Sequence, residues 1–276
     1  MRYFEARVAE NQSLGGGYFR LSMAGCHALG DCQPGQFVML RGDWERDPLL
    51  PRAFSLLSVG NDGQAAILAK TVGRGTALLE RAGVGAKISV LGPLGTHFPT
   101  PSPDFVDLLV GGGVGIPPVY LQAARAAALG CASTSEILYG GRSTHDLVLL
   151  DEMRAFGVGL FLTTEDGTTG RTGRVTLELE ARLAVKAGEG KPVRIMACGP
   201  NPMLWAVARI ARAQGIPCFI SVEEQMACGI GVCLGCAVPA RSRPFRYVCK
   251  DGPVFDAADV LDVDSGAPSL PVACPS

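Results

Sequence analysis

Four cysteines near the C-terminus stand at metal-ligand spacing. Cys228, Cys233 and Cys236 read C-x4-C-x2-C, and Cys249 follows after twelve further residues. This is the ligand pattern of a plant-type [2Fe–2S] cluster, which carries one electron at a time. Gly229, Gly231 and Gly235 lie among the ligands. They let the chain wrap tightly, with backbone N–H groups able to meet cluster sulfurs. A structural zinc is the alternative, although zinc sites usually show paired C-x2-C knuckles. The other six cysteines, Cys26, Cys32, Cys131, Cys198, Cys218 and Cys274, are scattered and read mostly as small buried hydrophobes.

Three further groups carry chemistry. Gly111, Gly112, Gly113 and Gly115 follow an apolar strand and open a helix through Ile116-Pro117-Pro118. A nucleotide pyrophosphate meets free N–H groups and the positive helix end at such a place. Proline suits the first helical turn, where its missing N–H loses nothing. The spacing departs from G-x-G-x-x-G, so the strand–loop–helix context carries the reading. Cys198-Gly199-Pro200 ends another strand, where ligands bind in parallel sheets. Cys198 is a candidate to border a nicotinamide ring. The alternative is a plain turn with Asn201 as helix N-cap. The third group is Arg52-Ala53-Phe54-Ser55, Leu68-Ala69-Lys70 and Gly75-Thr76. An arginine beside a hydroxyl can hold a phosphate and a flavin ring, and a helix start can hold a second phosphate. Each piece alone is equally a strand or a cap. His27, His97 and His145 show no ligand spacing, and Glu223-Glu224 read as solvated or helix-capping.

The elements that position these groups change in texture along the 276 residues. Residues 1–100 alternate like short strands, as in Gln36 to Leu40 and Ala66 to Lys70, with one helix at Thr76 to Arg81. That is the pattern of a small β-barrel. Pro99, Pro101 and Pro103 mark a linker. Residues 101–222 alternate strands and helices, an α/β domain with a parallel sheet. Its strands are expected at Asp107 to Val110, Glu136 to Tyr139, Gly159 to Thr163, Val193 to Ala197 and, last, Pro217 to Val222. Its helices are expected at about 117–129, 176–187 and 202–214. Residues 223–276 form the cysteine segment, too small for a core of its own and in need of a metal staple.

Bulk composition excludes several partners. The net charge is −1, with 18% charged residues, which disfavours nucleic acid and an anionic membrane surface. The uncharged stretch from Leu108 to Ala124 is broken by glycines and prolines and makes a poor membrane span. Met1 is followed by a strand-like alternation without an apolar signal region, so the expected compartment is the cytoplasm, where thiols stay reduced.

Taken together, Arg52-x-Phe54-Ser55, Gly75-Thr76, Leu91 to Gly95, Gly111 to Pro118, Tyr139 to Arg142, Cys198-Gly199-Pro200 and the cysteine loop resemble the ferredoxin–NADP reductase superfamily. With its cluster at the C-terminus, and Ser221 to Ala227 before it, the chain resembles the electron-transfer subunits of two-subunit, NAD-linked dihydroorotate dehydrogenases. The resemblance implies FAD on the barrel, with its ring near Arg52 to Ser55 and its ribityl–pyrophosphate part on Leu68 to Lys70 and Gly75-Thr76. It implies NAD pyrophosphate at Gly111 to Pro118, cluster ligation by Cys228, Cys233, Cys236 and Cys249, and roles for Ser55 near flavin N5 and for Cys198, with Gly199 and Pro200, at the nicotinamide. Arg142 is a candidate for the far end of the dinucleotide, and NAD against NADP stays open there. The implied partner is an FMN-containing catalytic subunit in a heterotetramer, where dihydroorotate becomes orotate. Ala53 departs from a frequent proline and Gln225 from a frequent arginine. Two alternatives remain: the small subunit of another NAD(P)H-linked flavin/iron–sulfur oxidoreductase, of ferredoxin transhydrogenase or sulfhydrogenase type, and a non-enzymatic nucleotide-binding module with structural zinc.

Overall fold

The computed structural model describes residues 1–44, 47–188 and 190–261. Cys274 and the last fifteen residues of the expected third domain lie outside the described residues.

Six antiparallel strands close a barrel in the order β1-β2-β5-β4-β3-β6. They are β1 (Arg2–Gly15), β2 (Tyr18–Ala24), β3 (Phe37–Gly42), β4 (Arg52–Val59), β5 (Ala65–Lys70) and β6 (Lys87–Leu94). Closure depends on the length of β1. Its first part, Arg2 to Arg7, pairs with β6, and the stretch from Arg7 to Gly15 pairs with β2. Phe19, Leu21, Val38, Leu40, Ile67 and Val90 are among the side chains that fill the interior. Helix α1 (Arg74–Glu80) starts two residues before the expected Thr76. Its C-terminal carbonyls are held by Asn11, whose Nδ2 donates to the Leu79 and Glu80 carbonyls at 2.9 Å each. The last carbonyls of a helix lack the full set of helical partners; here the Arg81 and Ala82 N–H groups reach the Leu79 carbonyl, and the Asn11 cap from the barrel wall adds to them and fixes the helix in position.

The second layer is a seven-stranded sheet in the order β10-β9-β8-β7-β11-β12-β15. Its elements are β7 (Val106–Gly112), α2 (Ile116–Ala128), β8 (Ser135–Gly141), α3 (Leu150–Ala155), β9 (Gly159–Thr164), β10 (Arg171–Thr172), α4 (Val175–Lys186), β11 (Val193–Cys198), α5 (Asn201–Ala213) and β12 (Cys218–Ser221). All of its strand pairs are parallel except the last. β7 is buried on both faces, which suits its apolar stretch Leu108 to Val110, and its one charged residue, Asp107, is buried with a partner. Arg194 of β11 ties the linker down: it clamps Asp107 with two bonds of 2.8 and 2.9 Å and donates to the Thr100 carbonyl at 3.2 Å.

The C-terminal segment departs from expectation in two ways. β12 is not the last strand: after the hairpin β13 (Ala237–Pro239) and β14 (Phe245–Tyr247) and the short α6 (Val248–Asp251), strand β15 (Val254–Asp256) adds an antiparallel edge and leads into α7 (Ala257–Val260). The segment also has apolar support beyond a metal staple. Val238, Val248, Phe255 and Val260 share one core with Leu204 and Val207 of α5 and with Met39 and Leu94 of the barrel.

Candidate functional site

A cleft of about 860 Å³ opens where barrel, sheet and C-terminal segment meet. β4 contributes Arg52, Ala53, Phe54 and Ser55, β5 contributes Leu68, Ala69 and Lys70, and the α1 turn contributes Gly73, Gly75 and Thr76. Val114 and Pro117 from the start of α2 complete one side, and Ser221 to Met226 the other. The three barrel groups picked out in sequence therefore line one wall. Arg52 lies against Gly75, where a Cβ would sit 2.9 Å from its Nε. Gly75 thus leaves the guanidinium its place beside the α1 turn. The Arg52 side chain also donates to the Leu50 carbonyl. Thr76 Oγ1 is occupied locally: it donates to the Gly73 carbonyl at 2.9 Å and accepts from the Val72 and Gly73 N–H groups.

The glycine loops after β7 and β11 lie back to back. These strands are neighbours, with Gly111 opposite Cys198. They flank the point where strand order reverses, the place where open α/β sheets bind ligands. A Cβ on Gly115 would sit 2.7 Å from the Gly199 backbone, and one on Gly112 would meet Met203 Sδ at 2.5 Å and Pro200 at 3.1 Å. Only residues without side chains let the loops approach this closely. Gly113 takes a left-handed backbone, with φ of +52°. Helix α5 begins at Asn201, so the N-cap position falls on Pro200, one residue before the expected cap. Arg142, at the far end of β8, is largely exposed, with its Nε 3.6 Å from Asp146 Oδ2.

Cys198 is fully buried and lies behind the cleft wall, its Sγ 4.0 Å from Glu223 Oε1. Burial, with the Glu223 charge beside it, pushes the Cys198 thiol well up, so it is a neutral thiol at physiological pH. Glu223 was expected to be solvated or to cap a helix. It is solvent-exposed, as expected, but caps no helix, and it stands on the lining of the cleft. Desolvation by the surrounding protein raises its carboxyl. The neighbouring Glu224 also lines the cleft, and its buried Oε1 has no hydrogen-bond partner among the described residues. Orphaned buried acceptors are uncommon and point to a donor from elsewhere. An apolar wall, a cation and an unpaired acceptor suit a flavin nucleotide. Nothing in the acidic pair's spacing signalled this role, because only the turn after β12 aims it inward.

The four cysteines come together as two pairs. Cys236 Sγ and Cys249 Sγ are 3.3 Å apart, and the Cys233 N–H lies 3.5 Å from Cys228 Sγ. Backbone N–H groups point at sulfur: Ile230 N at Cys228 Sγ (3.4 Å) and Gly231 N at Cys249 Sγ (3.1 Å). Burial opposes ionisation of Cys228, but the N–H groups of Cys233 and Ile230 outweigh it and hold the thiol down at about 6. Cys249, desolvated and crowded by Cys236, is pushed up to about 12. Two sulfur pairs with N–H donors on the sulfurs fit a two-iron core, with one pair for each iron.

The residues from Glu223 to Leu261 match the family described as the iron-sulfur cluster binding domain of dihydroorotate dehydrogenase B, and residues 109–209 match the oxidoreductase NAD-binding domain. The dihydroorotate dehydrogenase B (NAD(+)) electron transfer subunit of Geobacillus kaustophilus is 37% identical over 260 residues, covering 92% of this chain and 96% of its own. The chain belongs to this family of electron transfer subunits. Among solved structures, an NADH-dependent reduced ferredoxin-NADP oxidoreductase studied for flavin-based electron bifurcation superposes with a TM-score of 0.80 at 26% identity, covering 94% of this chain and 90% of that one. A ferredoxin NADP+ reductase from Neisseria gonorrhoeae, with bound FAD and NADP, shares the fold at a TM-score of 0.66 and 18% identity, covering 78% and 92%. Both share the barrel joined to a parallel sheet; the match to the Neisseria reductase covers 78% of this chain, whereas the match to the bifurcating oxidoreductase, at 94%, extends into the cysteine segment.

Proposed function

We propose that this chain passes electrons between NAD(H) and the FMN of a dihydroorotate-oxidising partner, through FAD in the cleft and a [2Fe–2S] centre on Cys228, Cys233, Cys236 and Cys249. The observation that carries this reading is one chain holding a reductase cleft and a four-cysteine loop that matches the dihydroorotate dehydrogenase B family. When bound, FAD exchanges a hydride with nicotinamide and single electrons with the cluster, which neither of those can do for the other.

The protein's part is placement. Arg52, with Gly75 leaving it room, supplies a cation for the FAD pyrophosphate. Ser55 and Phe54 face the ring, Leu68 and Ala69 wall the ribityl chain, and Lys70 and Thr76 stand by the phosphates. Gly111, Gly112, Gly113 and Gly115 bring the N-terminus of α2 to the NAD pyrophosphate. Glu223, with Gly199 and Pro200 nearby, borders the nicotinamide, Cys198 backs that wall from behind, and Arg142 stands at the adenosine end. The neutral, buried Cys198 thiol adds no charge behind the wall, and hydride transfer needs no general acid or base. The N–H groups on Cys228 and Cys249 stabilise thiolate ligands.

In this reading residues 1–100 bind FAD, 101–222 bind NAD and 223–276 carry the cluster. The partner is the FMN-containing catalytic subunit, in a cytoplasmic heterotetramer. Among the described residues no helix is long and apolar enough to cross a membrane. Ile230, Val232 and Leu234, exposed by 42%, 73% and 51%, ring the cysteine loop and offer the partner an apolar landing beside the cluster. A second reading, the small subunit of a ferredoxin transhydrogenase, is favoured by the likeness to the bifurcating oxidoreductase. Purification of the native complex separates them. A co-purifying FMN barrel subunit that converts dihydroorotate to orotate is expected; a partner rich in [4Fe–4S] clusters overturns the first reading. A colourless, zinc-loaded chain overturns both.

A further inference from the structure

The three glycines of the cysteine loop have unequal surroundings. A Cβ on Gly235 would find only Cys233 Sγ, at 3.8 Å. One on Gly231 would press on Lys250 Cδ at 3.0 Å, part of a long side chain on an exposed residue that can swing away. Gly229 differs. It is buried, has φ of +73°, and directly follows Cys228. A Cβ there would sit 2.6 Å from Met39 Cγ, 3.1 Å from Met39 Sδ and 3.2 Å from Leu94 Cδ1. Both neighbours are barrel residues, and Met39 is 1% exposed.

Met39 leads to the cleft. It sits on β3 directly opposite Ala53 on β4. Opposed residues of an antiparallel pair place their side chains on one face of the sheet. Ala53 lines the cleft, and it packs against the same core as Met39. A continuous line of packed atoms therefore runs from the residue after Cys228, through Met39, to the wall of the cleft.

We infer that the Gly229–Met39 contact sets the gap between the cluster and the flavin, with Gly229 a positioning residue for the electron transfer between them. The inference rests on the reading that the cleft holds FAD and the four cysteines hold the cluster. In that reaction NADH gives up two electrons as a hydride and becomes NAD+. The two electrons then cross one at a time: the first reduces one Fe(III) of the cluster to Fe(II) and passes on to the partner's FMN, which reoxidises that iron before the second crosses, and the proton left on the flavin is released to water. The rate of such a crossing falls exponentially with the gap. A side chain at position 229 has to displace something. Met39 is embedded in close-packed core with Phe37 and Leu94, whereas the cysteine loop lies at the surface, so the loop yields.

The test uses the holoprotein with its flavin and iron. Iron positions come from anomalous diffraction, measured relative to the barrel backbone. Stopped-flow absorption with NADH follows flavin and cluster separately. Gly229→Ala and Met39→Phe widen the seam from opposite sides. In both, iron content is expected to stay at two per chain and the irons to move away from Ala53. Flavin reduction by NADH should keep its rate, and cluster reduction should slow severalfold. Met39→Ala added to Gly229→Ala vacates the Met39 atoms, leaving the cost of an alanine at φ +73° and the Leu94 contact, and should return the irons and the rate part of the way to the parent values. Irons that stay in place at an unchanged rate overturn the inference, as does a double variant that fails to recover. Loss of the cluster in both single variants also overturns it, because the contact would then build the site rather than set its distance. A parent protein without flavin or iron instead overturns the underlying reading.

Discussion

Lys70 Nζ donates to Asp146 Oδ1 at 2.9 Å, across the junction between the barrel and the parallel sheet. Asp146 gathers more: Tyr18 OH reaches the same oxygen at 3.1 Å, and the Arg142 N–H reaches Oδ2 at 3.1 Å. One carboxylate thus links a cleft residue, the barrel wall and the end of β8.

Burial opposes ionisation of Asp146, but the Lys70 and Arg142 hydrogen bonds outweigh it and hold the carboxyl below its ordinary value. A group depressed on folding adds stability above its unfolded value, about 3.9, and loses it as pH falls through the folded value. Asp146→Asn is therefore expected to cost roughly 1.5–3 kcal/mol at neutral pH. The difference should shrink only in acid, below the unfolded value. Urea midpoints of both proteins across pH check this; a difference constant into strong acid would contradict it.

The Arg194–Asp107 clamp is almost wholly buried, with side-chain exposures of 10% and 2%. Removing one partner strands a charge, so Arg194→Ala should destabilise by about 3–5 kcal/mol. Replacing both by apolar residues of similar volume, Asp107→Leu with Arg194→Met, should recover most of the loss. Chemical denaturation of the three proteins tests it, and an additive double variant would count against the clamp.

Glu223 carries the opposite sign. Desolvation raises its carboxyl, so the folded chain holds that proton to a higher pH than the unfolded chain. Stability declines as pH rises from the unfolded value, about 4.3, through the raised one. Glu223→Gln has no such loss, and the flavin-free variant should melt higher than the parent at pH 7 and alike at pH 4. An equal or lower melting temperature at pH 7 would show that the carboxylate is stabilised where it stands.

Cys233 is the exposed member of the four cysteines, and the segment around it shares its core with α5 and the barrel. Cys233→Ser should therefore lower iron content while leaving flavin content and the circular dichroism spectrum unchanged. Loss of flavin along with iron would mean that the cluster holds the cleft together.

The sequence revealed most where function demanded special residues. The cysteine spacing, the glycine loops that end β7 and β11 and the alternation from Val106 to Ser221 all found their places. What stayed hidden depends on distant partners or on weak local signals. The role of β1 emerges only when its two parts find β6 and β2. β15 has three residues, too few for a period to show, and it pairs with a strand more than thirty residues earlier. α3 begins after Leu149 in a left-handed backbone, φ +64°, a conformation for which leucine gives no hint. Glu223 is solvated as its sequence suggests, but its place on the cleft lining was hidden, because only the packing of the C-terminal segment against the barrel puts it there.

The central claim is that electrons from NADH reach the cysteine loop through the cleft within this one chain. Anaerobic addition of NADH to the purified holoprotein, followed by visible absorption and by EPR of the frozen samples, tests it directly. The account predicts bleaching of the flavin bands and the EPR signal of a reduced [2Fe–2S] centre. Bleached flavin with a cluster that stays oxidised, and that chemical reductants do reduce, would contradict it.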